Sequence, residues 1–331
     1  MTKKSVCLMS ILILFWMAIP LPALAAPGTP DSVTFGYGLR LDINGARVDE
    51  ALLWAAKNQV DWIALDFDWN ATWPDPAHWD NYSAFAYTAR LANTLGLTLV
   101  FSIQNPPAWA LSEAGPNPEL TAALVCDLKR LFPRLAAVEL YPRANTRAGW
   151  RAAPNAARYA NLLQTVSKRL ESREIDLHLL AGGLTNQLSV PEDQLDTQFL
   201  QDLYAAGARP AIISLRLDTL SGLPGDNPDD IHHLRHFEQI RQVMVAHGQS
   251  QALIWVTGFD LPAAMANGDP QTQSEWLAKA YLLMRSRLYF GASLYNCYNR
   301  LPPAPEQTCL MMQDGSDHPF LEKLASLIAE N

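Results

Sequence analysis

A (β/α)8 barrel is the fold class this 331-residue sequence predicts, and three observations predict it. Eight short apolar runs recur, each followed by an amphipathic stretch with helical spacing. The runs are continuously apolar, as strands buried on both faces are, rather than alternating. No Gly-rich phosphate turn follows the first run, as a doubly wound sheet would show: Gly36-Tyr37-Gly38 lacks the spacing and lies inside the strand.

The elements follow in order. A strand is predicted over 35–41 and a helix over 48–58; then a strand over 62–67 (WIALDF) and a helix over 82–95. The third unit is a strand over 97–103 (LTLVFSI) and a helix over 119–131; the fourth, a strand over 137–141 and a helix over 153–171. The fifth pairs 177–181 with 196–206, the sixth 211–217 with 230–247, the seventh 252–257 with 272–287 and the eighth 290–295 with 319–329. No interior stretch rich in Pro, Gly or Ser divides the chain, so residues 27–331 read as a single barrel, with 221–230 a long loop after the sixth strand.

The first 26 residues read as an address. Lys3 and Lys4 precede an apolar run over 6–19, Pro20 and Pro22 interrupt it, and Ala23-Leu24-Ala25 supplies small residues for a signal peptidase. The expectation is a cleaved signal peptide over 1–26 and a secreted, periplasmic or cell-envelope protein. No later segment is long and apolar enough to span a bilayer. Composition is globular, 49% hydrophobic and 18% charged, and 25 Lys+Arg against 33 Asp+Glu give a net charge of -8. Phosphate binding wants a basic surface, so a nucleic-acid partner is not expected. Of the four cysteines, Cys7 lies in the signal; Cys297 and Cys309 close a short loop and are the expected disulfide, with Cys126 left over. No Cys/His spacing resembles a metal site, and His232, His233 and His236 are expected on a solvated helix face. No cofactor is expected.

In this architecture chemistry sits where strands end and the following loops begin. The second strand ends in Asp66-Phe67-Asp68-Trp69, with Trp73 beyond, the third in Gln104-Asn105-Pro106-Pro107-Ala108-Trp109, and the fourth in Glu139-Leu140-Tyr141-Pro142-Arg143-Ala144-Asn145, with Trp150 beyond. The sixth ends around Arg216, the seventh in Thr257-Gly258-Phe259-Asp260, the eighth in Tyr295-Asn296-Cys297-Tyr298. Flat rings mixed with amides and charged groups suit a carbohydrate, rings stacking on C–H faces and polar groups bonding hydroxyls. The glycan-contact candidates are Trp69, Trp73, Trp109, Asn105, Tyr141, Arg143, Trp150, Arg216 and Tyr298.

Over about residues 35–298 the chain resembles the clan A glycoside hydrolases, the xylosidase- and iduronidase-like TIM barrels and their cellulase-like relatives. The strings that carry the resemblance are Trp62-Ile63-Ala64-Leu65-Asp66-Phe67-Asp68-Trp69, the Pro-Pro-Ala-Trp stretch after the third strand, and Ala181-Gly182-Gly183-Leu184. The resemblance implies a general acid/base Glu in an Asn-Glu-Pro string ending the fourth strand, and a nucleophilic Glu ending the seventh. Here Arg143 and Gly258 stand at those positions, Ala64 at that of the usual second-strand Arg, and Arg216 at that of the sixth-strand His. Retaining hydrolysis needs two carboxyl groups about 5–5.5 Å apart. A guanidinium, with a pKa above about 12, exchanges no proton at neutral pH, and glycine offers no nucleophile. The expected function is therefore a catalytically inactive barrel, a pseudoenzyme that binds a glycan or serves as an envelope scaffold. Two alternatives stand beside it: an active glycosidase with a relocated pair, Asp260 with Glu139 or Asp68, and an interaction protein whose mouth is filled by side chains. For the charged groups themselves, a buried network is expected in which Arg143 and Arg216 neutralise neighbouring acids.

Overall fold

The computed structural model describes residues 35–331 except 78–82, 218–219, 221–231, 263–264, 266–267, 297, 300–308 and 312–315. The expected signal segment therefore lies outside the described residues. Eight parallel strands close into a barrel: β1 (Gly36–Leu41), β2 (Trp62–Asp68), β3 (Leu99–Gln104), β4 (Leu135–Leu140), β5 (His178–Leu184), β6 (Ile212–Leu217), β7 (Leu253–Phe259) and β8 (Phe290–Tyr295). Each strand pairs with its sequence neighbours, and β1 closes the ring against β8 through Gly36↔Ala292 and Leu39↔Tyr295. Eight helices follow the strands in turn: α1 (Val48–Lys57), α2 (Ala84–Thr94), α3 (Pro118–Leu131), α4 (Ala156–Ser172), α5 (Asp196–Ala205), α6 (Phe237–Ala246), α7 (Pro270–Arg285) and α8 (Phe320–Ala329).

Local chemistry sets several helix starts. Ser83 Oγ accepts from Ala86 N at α2, Asn117 Oδ1 from Glu119 N and Leu120 N at α3, and Asn155 Oδ1 from Arg158 N at α4. Pro118 and Pro270 occupy first-turn positions, where a missing N–H costs nothing. The structure moves a few boundaries. β5 runs on to Leu184, past the expected end at 181, because Gly182 and Gly183 take φ of 103° and 47° and carry the strand through conformations other residues avoid. α6 begins at Phe237 rather than 230, after a 3₁₀ turn, Leu234–His236, whose first N–H groups include Arg235 N bonded to His233 Nδ1. His233 and His236 are buried, not on a solvated face; His236 Nε2 lies 2.7 Å from Asp196 Oδ2 and ties α6 to α5.

The barrel interior is layered. At the amino end of the strands Trp62 and Trp255 pack with ring centroids 4.7 Å apart, among Val100, Ala137, Leu180 and Leu294. Gly36 and Gly291 leave room for these indoles, since a Cβ at either would collide with Trp62 or Trp255. This apolar layer seals the floor. Above it the lining turns polar. Cys309 is disulfide-bonded, while its expected partner Cys297 lies outside the described residues. Cys126 is a buried free thiol on α3. Among the described residues no helix is long and apolar enough to cross a membrane.

Candidate functional site at the barrel mouth

Even positions of β1 and β3, with Asp66 of β2, Glu139 of β4 and Arg216 of β6, face inward and bring four charges together above the floor. Glu139 is fully buried. It accepts from Arg216 Nη2 at 2.8 Å, from Ser102 Oγ at 2.7 Å and from Thr257 Oγ1, and Arg40 Nη2 lies 3.8 Å away. Burial alone would raise its pKa; Arg216 and Arg40, with the Thr257 hydroxyl, outweigh burial and hold it down at about 2. Arg40 donates to Thr257 O through Nη2 (2.7 Å) and Nε (3.2 Å), to Ser102 Oγ (3.2 Å) and to Asp66 Oδ1. Arg216 reaches Ser102 Oγ at 3.1 Å and Asp66 Oδ1 at 3.6 Å. The layer is thus two guanidiniums against two carboxylates, cross-bonded through Ser102.

The expected network exists, but with different members. Among the described contacts its second cation is Arg40 of β1; Arg143 borders the cavity above. Arg40 pairs in register with Ala64 and places a guanidinium in the layer that the resemblance furnishes from β2. Sequence reading missed it, although the inward series Gly36, Gly38, Arg40 carried the signal.

Above the layer opens a cavity of about 600 Å³. Asp66, Asp68, Gln104 and Asn105 border it from β2 and β3, Arg216 and Asn296 from below, and the segment after β4 (Pro142, Arg143, Ala148, Gly149, Arg151) from the side. A second opening of about 670 Å³ lies at the other end, between α4 and the starts of β5 and β6. The first is at the carboxyl ends of the strands, where this architecture keeps its chemistry, and is the candidate site.

The chain makes two sharp reversals at this rim. Asn105 (φ 51°), Tyr141 (φ 53°), Arg143 (φ 63°) and Arg151 (φ 65°) are all left-handed non-glycine residues. Such conformations persist only where surroundings enforce them. Arg143 N donates to Gly183 O at 2.8 Å and Ala144 N to Gly182 O at 3.0 Å, while Thr146 Oγ1 accepts from Gly149 N and donates to Arg143 O. A Cβ at Gly149 would collide with the carbonyls of Pro142 and Arg143.

The expected carboxylates sit as follows. Asp68 accepts from Ala71 N at 2.8 Å, capping the short helix Trp69–Thr72, and from Asn105 Nδ2 at 3.0 Å. Asp260 is buried, accepts from Asn296 Nδ2 at 3.0 Å and does not border the cavity; nor does Glu139. Of the proposed relocated pairs, neither therefore places both carboxyl groups on the open space. Gly258 is not a vacancy: a Cβ there would lie 2.9 Å from Asn296 Oδ1 and 3.2 Å from Arg216 Cδ.

The rings depart most from expectation. Tyr141 turns out of the barrel, its Oη 2.8 Å from Thr121 Oγ1, because its left-handed backbone redirects the side chain toward α3. Trp150 is buried against Tyr141 and Tyr159, its indole N–H on Ala114 O at 3.1 Å. Tyr298 is buried beside Trp54, and burial pushes its hydroxyl up to about 12. Trp69 is buried edge-on to Trp109, centroids 5.3 Å apart, with Trp73 half-buried; Trp109 is half-exposed with its N–H on Pro74 O at 2.9 Å. No described aromatic residue borders the cavity. Of the nine expected contacts, Asn105, Arg143 and Arg216 do; Asp66, Gln104, Arg151 and Asn296 join them.

No protein-family model matches the chain, and no curated protein matches it. Solved structures share the fold. A family 39 glycoside hydrolase from the gut symbiont Bacteroides cellulosilyticus WH2 is 15% identical over 90% of this chain, with a TM-score of 0.65. A monomeric β-xylosidase from Caulobacter crescentus CB15 is 13% identical over 91%, with a TM-score of 0.63. An endo-β-1,4-glucanase from Xanthomonas axonopodis pv. citri is 12% identical over 90%, with a TM-score of 0.59. The chain spans 64%, 69% and 100% of these proteins respectively. At such identities the likeness is one of fold: this chain has an eight-stranded parallel barrel like theirs.

Proposed function

We propose that this barrel binds a glycan at its mouth and does not hydrolyse it, and that it works outside the cytoplasm, secreted or in the cell envelope. The observation that carries the reading is the pair of strand ends where the resemblance places the catalytic acids. Arg143 stands at one, and at the other Gly258 faces the Asn296 and Arg216 side chains, which a Cβ there would have to displace. The acids that do border the cavity hold other posts: Asp66 bonds Arg40, and Asp68 caps a helix. Glu139, ionised down to about pH 2, is no proton donor at neutral pH. An open cavity of about 600 Å³ speaks against a mouth filled by side chains.

The test pairs calorimetric titration against a panel of neutral and charged oligosaccharides with aryl-glycoside hydrolysis on the same preparation. Saccharide binding without turnover is expected. Turnover at ordinary glycosidase rates would overturn the inactive reading, and absence of binding across the panel would overturn the glycan reading.

A further inference from the structure

Resting on that glycan reading, we propose that the saccharide is acidic, its carboxylate or sulfate group held by Arg151, with Arg143 bordering the same cavity. The hydrogen-bonding inventory of the cavity is donor-rich among the described residues. Its two carboxylates already accept: Asp66 from Arg40, with Arg216 at 3.6 Å, and Asp68 from Ala71 N and Asn105 Nδ2. Arg151 is exposed, borders the same space and forms no ion pair with a described acid. A guanidinium offers five N–H donors in a planar fork and no acceptor, the geometry that meets a carboxylate or sulfate two bonds at a time. Among the described residues the cavity walls carry no aromatic ring, so they give a neutral sugar face nothing flat to stack on.

The backbone adds a second, independent observation. Arg143 and Arg151 flank the four-residue helix Arg147–Trp150, both left-handed at φ 63° and 65°. Residues with side chains avoid that region. Here the segment is held by Arg143 N on Gly183 O, by Thr146 Oγ1 between Gly149 N and Arg143 O, and by Trp150 buried beneath it. A tightly built loop thus delivers two cationic side chains to one cavity of a chain whose net charge is -8. Asp218, Asp226, Asp229 and Asp230, between β6 and α6 in sequence, lie outside the described residues, so the test uses the full chain.

The experiment titrates one oligosaccharide backbone in three forms: neutral, oxidised at C6 to the carboxylate, and sulfated. Inorganic sulfate is titrated alongside. At least about a tenfold tighter Kd for one acidic form over the neutral form is expected, shrinking as salt rises; the preferred form tells carboxylate from sulfate. R151Q brings the ratio toward one, and R151K retains part of it. Equal affinity for neutral and acidic forms, or an acidic preference that survives R151Q, overturns this inference and leaves the glycan reading standing. Inorganic sulfate binding as tightly as the best saccharide overturns it too. No saccharide binding in any form overturns the underlying reading instead.

Discussion

Glu139 shows how far a single side chain's partners can move its chemistry. Its carboxylate is buried, yet three hydrogen-bond donors and the Arg40 guanidinium, drawn from four strands, keep it charged. Replacing it with Gln leaves Arg40 and Arg216 short of an anion, and breaking a buried pair from one side costs about 3–5 kcal/mol. Urea unfolding of E139Q is expected to show a loss of that size. The pH dependence follows from the direction of the shift. An ordinary Glu titrates at about 4.3, and Glu139 at about 2 in the folded chain. Its stabilisation is therefore complete above the ordinary value and is lost as pH falls through the window between the two. The slope of unfolding free energy across that window is expected to flatten in E139Q. Gly258 is the converse case. Adding a carboxylate with G258E drives a side chain into Asn296 and Arg216; a loss of about 1–3 kcal/mol is expected from overpacking, with no hydrolysis of aryl glycosides gained. The missing carboxylate at Gly258 was legible in the sequence. The neighbours that fill the space at Gly258 were not, because Arg216 comes from β6 and Asn296 from just past β8, both distant in sequence.

Strands and helices were the readable scale. A continuous apolar run between amphipathic stretches is a local signal, and all eight units appear where it occurs, with shifts of a few residues at most ends and a later start for α6 at Phe237. Where the reading failed, the backbone leaves its common regions. Gly182 and Gly183 extend β5, and the left-handed turn at Tyr141 sends that ring, and with it Trp150, outward into the helix layer. Strand alternation would have kept Tyr141 near the mouth; one positive φ undoes the count. The segment from Pro142 to Arg151 is accordingly the element on which the site depends. In G149A the new methyl meets the carbonyls of Pro142 and Arg143. A lower Tm and at least about a tenfold weaker Kd for the best saccharide are expected, read by thermal unfolding and titration.

The whole molecule divides its barrel interior into an apolar lower layer and a charged upper one, and the two tasks should separate. W255A removes half of the indole pair among Val100, Leu180 and Leu294. A loss of about 3–5 kcal/mol is expected in denaturant, while the Kd measured on the folded fraction stays that of the parent. A matching fall in affinity would show the layers to be coupled. The architecture was legible because repetition announces it eight times; the site was not, since it assembles Arg40, Asp66, Glu139 and Arg216 from four strands that periodicity alone cannot rank. The paired indoles beneath this assembly also govern traffic. With the lower end stoppered, the mouth is a cul-de-sac: a guest departs only by retracing its path, so two guests compete outright and neither can usher the other through.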